Sequence, residues 1–289
     1  MHIKRETDGN RPAVATKRKE KTMKKLLSFT LAAILAIVCV LSFASCGKKG
    51  KTLAEVKAAG ELVVATSPDF PPFENLEGEE VVGIEVDILK KICEKLGVTL
   101  TLKQMDFESV LPGVQAGKFD CGMSGITVTP AREKNMLFTD PYFVATQAIV
   151  VKAGSAIASK ADLAGKKVSA QTGTTAEEYC LDNGYNVSAF NANSDAQTAL
   201  LNGNVDAWVI DNLTAIAMVA TYNEGKADDA KLVILSEAMT EEPYAFAFAF
   251  GSEDLVAEIN KIQKTMLDDG TIAGIFEKFG EDYAAPASK

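Results

Sequence analysis

From residue 51 onward, short helical segments stopped by glycine alternate with short apolar runs of strand character, and this alternation restricts the fold more than any other feature of the chain. The stretch 52–60 reads as a helix ending at Gly60, and 61–66 reads as a buried strand. A helix over 83–96 stopped by Gly97, a strand over 99–105, a helix over 108–116 stopped by Gly117 and a strand over 119–124 follow. Strands separated by helices close through right-handed crossovers into largely parallel sheets covered on both faces, and such sheets hold ligands at the carboxyl ends of their strands.

A second unit of the same kind begins near 147, with strands over 147–152, 167–172 and 206–211 and a helix over 175–182. An internal echo links the two. Gly117-Lys-Phe-Asp120 and Gly203-Asn-Val-Asp206 each open a strand, and five residues after each aspartate stand Gly125 and Asp211. Both units thus bring a candidate functional position to the same end of a similar strand. The segment 242–250 alternates as a strand should, and 252–269 and 271–279 read as terminal helices. If these return to the first unit, the chain crosses between two lobes twice, through a hinge of two strands near 143–148 and 240–245.

The chain of 289 residues, 47% hydrophobic and 24% charged, is long enough for two domains. Its charge is uneven. Residues 1–45 hold nine Lys and Arg against three Asp and Glu, so the remainder carries −15 within a total of −9. An acidic body argues against nucleic acid as a partner. The basic start leads through Lys24 and Lys25 into an uncharged apolar run over 26–44, followed by Ser45, Cys46 and a polar Gly/Lys tether over 46–51. This resembles a bacterial lipoprotein signal, in which Cys46 would be acylated and become the mature N-terminus. Phe43 stands where such signals carry leucine or a similar aliphatic, which leaves ordinary signal cleavage and an uncleaved anchor as alternatives. Met23 reads as the natural start, with the stretch before it an N-terminal extension.

Cys93, Cys121 and Cys180 are widely spaced, without a C-x-x-C pair, and read as buried free thiols; no metal site and no cofactor are expected. The segment 120–132 is more informative. It delivers small hydroxyl residues and the Arg132 guanidinium to a helix start, and a fixed cation beside neutral donors suits a small carboxylate ligand. Thr129 reads as the N-cap of that helix, with Pro130 at its first position.

The motifs VATSPDFPPF at 64–73, GIEVDI at 83–88, GKFD at 117–120, TVTPAR at 127–132, FTDPY at 138–142, DLAGK at 162–166 and QTGTT at 171–175 resemble the extracellular solute-binding proteins of family 3, the polar amino-acid-binding proteins of ABC importers. The resemblance runs from about residue 52 to 282. It implies an α/β protein of the type II periplasmic-binding fold, two α/β lobes joined by a two-strand hinge. Lobe 1 would span 52–145 plus 244–289, and lobe 2 would span 146–243.

The resemblance also implies roles. Arg132 would pair bidentately with the ligand α-carboxylate, and Thr174 and Thr175 would meet the same group from the opposite lobe. Asp211 would take the α-ammonium. Ser124, Gly125 and Thr127 would surround the head group, and the rings of Phe70 and Phe107 would sandwich the side chain. Ser67 and Gln171 would face its end; being neutral, they favour a polar uncharged amino acid, unless Asp69 turns inward and favours a cation.

The implied protein is a lipid-anchored monomer outside the membrane that closes on a free amino acid and delivers it to an ABC permease. A sensor domain and a dehydratase-like enzyme on the same scaffold are the alternatives. The single histidine, His2, lies outside the body and no carboxylate pair stands out in the site segments, which speaks against the enzyme.

Overall fold

The computed structural model describes residues 50–237 and 239–286. The N-terminal extension, the apolar run and Cys46 lie outside the described residues. Two five-stranded sheets organise the described body. In the first, the order is Thr99–Gln104, Glu61–Thr66, Cys121–Gly122, Ala247–Phe248, Leu137–Phe138; in the second it is Asn186–Phe190, Lys167–Gln171, Ala207–Asp211, Gln147–Lys152, Leu232–Ile234. The first three strands of each sheet run parallel and the fourth lies antiparallel beside them. The two sheets therefore repeat one plan, and each is mixed where the sequence suggests a largely parallel one.

Caps, glycine stops and apolar faces mark the helices, not all of them in every one. Thr52 accepts the Glu55 N–H while Glu55 reaches back to the Thr52 N–H, and Leu53–Ala59 ends at Gly60 in the left-handed conformation. Ile84–Leu96 buries Ile84, Ile88, Leu89, Ile92 and Cys93 and stops at Gly97. The internal echo has a structural counterpart. Asp120 accepts the Val63 N–H at 3.0 Å and Asp206 accepts the Lys167 N–H at 2.9 Å, so each aspartate ties the start of the middle strand of its sheet to the neighbouring parallel strand.

The alternating segment 242–250 departs from expectation. It breaks into Glu242–Tyr244, which pairs with Phe143–Ala145, and Ala247–Phe248, which joins the first sheet. Alternation cannot show that one apolar run serves two sheets. The Glu242–Tyr244 and Phe143–Ala145 pair forms the two-strand hinge between the lobes, and Glu253–Asp268 then packs on the first lobe through Leu255, Ile259 and Met266. Among the described residues no helix is long and apolar enough to cross a membrane. The three cysteines are buried and free, and burial pushes the thiol of Cys93 up to about 11 and that of Cys180 up to about 12.

Candidate functional site

The residues singled out in the sequence converge on one cavity between the lobes, with about 310 Å³ of empty space that is partly open to solvent. Ser67, Phe70, Phe107, Ser124, Gly125, Thr127 and Arg132 line it from the first lobe, and Gln171, Thr174, Thr175 and Asp211 from the second. Several follow directly on strand ends: Ser67 follows Glu61–Thr66, Gln171 ends Lys167–Gln171 and Asp211 ends Ala207–Asp211.

Arg132 sits on the four-residue helix Pro130–Glu133, whose N-cap Thr129 accepts the Arg132 N–H at 3.2 Å. Its guanidinium donates to the Thr127 carbonyl at 2.9 Å and, across the cleft, to the Gly173 carbonyl at 3.2 Å, and lies 5.9 Å from the centre of the Phe107 ring. A guanidinium has five N–H groups, so three remain for a ligand. Burial pulls the Arg132 pKa below its usual value, opposed by the carboxylates of Glu178, Glu242 and Asp211.

The turn carrying Ser124 and Gly125 is more constrained than its sequence suggests. The Ser124 hydroxyl donates to Glu74 at 2.9 Å and accepts the Ser67 N–H at 3.1 Å. The Gly125 N–H goes to Glu85 at 2.9 Å, leaving its carbonyl as the group it can offer inward. Gly125 has φ of 54°, and a Cβ there would lie 2.5 Å from the Phe70 ring, so only glycine lets the turn pass beneath that aromatic. Thr127 bridges to Tyr244, and the flanking Ala245 N–H and Val128 N–H complete the stitching of this turn onto the hinge strand.

In the second lobe, Thr174 caps the helix Thr175–Asp182, accepting the Glu177 N–H at 3.2 Å while donating to the Gln171 carbonyl at 2.7 Å. Its hydroxyl is thus committed to the helix start. The first-turn amides at Thr175 and Ala176 are of the kind a helix leaves without internal partners, and they favour an anion. Asp211 is 7% exposed, and burial pushes its carboxyl up to about 7, with the Glu242 carboxylate adding to the shift.

Three contributors carry no sequence signal. Gln147 is fully buried at the start of a strand and donates to both Asp211 at 3.1 Å and Thr175 at 3.4 Å, leaving its own carbonyl oxygen unpartnered. The Tyr244 hydroxyl lies beside Asp211 without a hydrogen bond of good geometry, and Glu242 adds a second buried carboxylate. All three read only as strand residues because their proximity to Asp211 arises from the hinge and the antiparallel pairing of Gln147 with Asp211.

The far end of the cavity is neutral. Gln171 donates to the Asn191 carbonyl at 2.9 Å and to Asp69 at 3.4 Å, and its carbonyl oxygen accepts the Asn193 side-chain amide at 2.9 Å. Asp69 turns away from the cavity lining and caps the helix Asn193–Leu201 of the other lobe, accepting the Asn193 N–H at 2.6 Å. That helix has no side-chain cap of its own, since Ala192 occupies the N-cap. Desolvation pushes the Asp69 carboxyl up to about 6.

Residues 62–282 match the family model of bacterial extracellular solute-binding proteins, family 3. The arginine-binding extracellular protein ArtP of Bacillus subtilis is 31% identical over 262 residues, covering 89% of this chain and 98% of its own. The ABC transporter glutamine-binding protein GlnH of the same organism is 31% identical over 277 residues, covering 89% and 97% respectively. Among solved structures, an ancestral arginine-binding protein bound to arginine is 41% identical, with a TM-score of 0.71 over 76% of this chain and 98% of that one.

Proposed function

The chain belongs to the bacterial extracellular solute-binding proteins, family 3, and from that premise we propose that it captures a free amino acid with a polar, uncharged side chain and delivers it to an ABC importer by closing its two lobes. One observation carries this reading: a half-buried guanidinium and a buried carboxylate face the same cavity from opposite lobes. That is the complement of a zwitterion. The ligand carboxylate would pair with Arg132 and the first-turn amides near Thr175, and its ammonium with Asp211 and the Gly125 carbonyl. Thr127 would contribute its hydroxyl, and Phe70 and Phe107 would flank the side chain. Because the two charged anchors belong to different lobes, the closed form alone satisfies both ends of the ligand.

Ser67 and Gln171 support the preference for a neutral side chain, since neither offers a counter-charge and Asp69 is engaged with the helix of the other lobe. The lobes divide at 145/146 and 243/244 in this reading, and the protein acts as a monomer held at the outer membrane face by an acyl chain on Cys46. Loss of acyl labelling in Cys46→Ser is expected, and labelling that persists would refute that anchor.

Calorimetric titration of the unfolded and refolded, ligand-stripped body against the twenty amino acids tests the central reading. The expected result is micromolar or tighter binding of an uncharged polar amino acid, a net of about 8 kcal/mol or more. Tighter binding of arginine or lysine would overturn the side-chain preference, and silence with all twenty would overturn the ligand class.

A further inference from the structure

We propose that Glu74 and Glu85, two buried carboxyl groups behind the cavity, act as positioning residues that fix the ligand-facing turn at Ser124 and Gly125 against the hinge, Glu74 doing so as the neutral acid. Neither lines the cavity, and both side chains are fully buried. Glu74 Oε1 accepts the Ser124 hydroxyl at 2.9 Å, and Glu85 Oε2 accepts the Gly125 N–H at 2.9 Å, so the pair grips consecutive residues of one turn. The other oxygen of Glu85, Oε1, accepts the hydroxyl of Tyr142, the residue directly before the hinge strand Phe143–Ala145. Glu85 therefore joins the floor of the cavity to the hinge through a single carboxylate.

The place of the proton follows from the donors. Both oxygens of Glu85 are engaged as acceptors, whereas Glu74 Oε2 is buried without a partner and is free to carry a proton. No lysine or arginine hydrogen-bonds either group among the described residues. The ionisable groups that face the pair are Asp69 on the Glu74 side and Tyr142 and Cys121 on the Glu85 side, none of which supplies a positive charge. A fully buried carboxyl without a cation beside it ionises only at considerable cost, so Glu74 retains its proton. Burial, with Glu85 beside it, pushes the Glu74 carboxyl well above the usual carboxylate range. A neutral Glu74 can accept from Ser124 with Oε1 and carry its proton on Oε2. The arrangement commits the Gly125 N–H and the Ser124 hydroxyl behind the cavity, which leaves the Gly125 carbonyl to meet a ligand, a consequence that rests on the cavity being the amino-acid site.

Infrared difference spectroscopy of the ligand-free protein reads the proton directly. Wild type minus Glu74→Gln at neutral pH should show a protonated-carboxyl C=O band, and its absence would overturn the neutral Glu74. Amide exchange reads the positioning without ligand: Glu85→Gln, or Tyr142→Phe should Glu85→Gln not fold, should speed exchange of the Gly125 amide at least tenfold relative to the sheet core. Unchanged exchange would overturn the positioning role. With L-glutamine as probe, Glu74→Ala should weaken binding at least tenfold and Glu74→Gln restore it to within threefold; wild-type binding by Glu74→Ala would count against the role. If wild type itself ignores L-glutamine, the ligand reading fails while the infrared and exchange results still decide the carboxyl pair.

Discussion

At Asp211 burial opposes the charge that the proposed ammonium contact requires. The carboxyl is pushed from its usual 3.8 up to about 7, chiefly by desolvation. A group whose folded-state pKa is raised stabilises the fold fully below its unfolded value and loses that contribution as pH rises through the folded one, so on Asp211's account the ligand-free protein loses stability between about pH 4 and about pH 7. An ammonium ligand requires the anion. Affinity should therefore strengthen, by up to about tenfold per pH unit, as pH rises toward about 7 and then level off. Calorimetry across that range should show this slope in wild type and a flat profile in Asp211→Asn, and a wild-type profile without slope would remove Asp211 from ammonium recognition. In the proposed reading Arg132 meets the other end of the ligand, the carboxylate. Arg132→Met should weaken binding by about 3 kcal/mol, roughly a hundredfold, for the loss of charge-assisted hydrogen bonds. Its thermal midpoint should stay close to wild type, because the guanidinium accepts no structural load beyond two backbone carbonyls.

At the scale of elements, caps place the binding groups. Thr129 holds the short helix that presents Arg132, and Thr174 holds the helix start that presents the Thr175 amide. Thr174→Ala should lower stability by about 1 kcal/mol, seen as a shift in denaturant midpoint without a change in slope. A full-strength cap elsewhere in that turn would leave the midpoint unmoved. The Thr129 cap was legible in the sequence because a threonine directly before a proline marks a helix start. The echo of Asp120 and Asp206 was legible too, and both prove to accept a strand N–H. The splitting of 242–250 was not, since its alternation is the same whether the run pairs with one sheet or two.

For the whole molecule, the contacts between lobes set the closed form. Asp69 caps a helix of the other lobe, Arg132 reaches the Gly173 carbonyl, and Asn191 donates to Asp106 at 3.2 Å. Gly173 lies at φ of 78°, and a Cβ there would stand 3.3 Å from the Cα and Cβ of Glu108 in the first lobe. Gly173→Val should hold the lobes apart as well as strain its own turn. Small-angle scattering should show the radius of gyration falling when wild type meets saturating ligand and staying near the open value in Gly173→Val. Equal contraction in both would mean that this approach does not limit closure.

The alternation of elements, the helix caps, the glycines at turns and the residue types gathered at strand ends are written locally in the chain, because each is set by hydrogen bonds and apolar periodicity within a few residues. Only the tertiary structure decided what surrounds those residues. Gln147, Glu242 and Tyr244 meet Asp211, Glu74 and Glu85 back the turn at Gly125, and Asp69 faces the other lobe rather than the cavity. Those neighbours come from strands and lobes distant along the chain, and no local pattern records which buried polar group will find which partner once the sheets have formed.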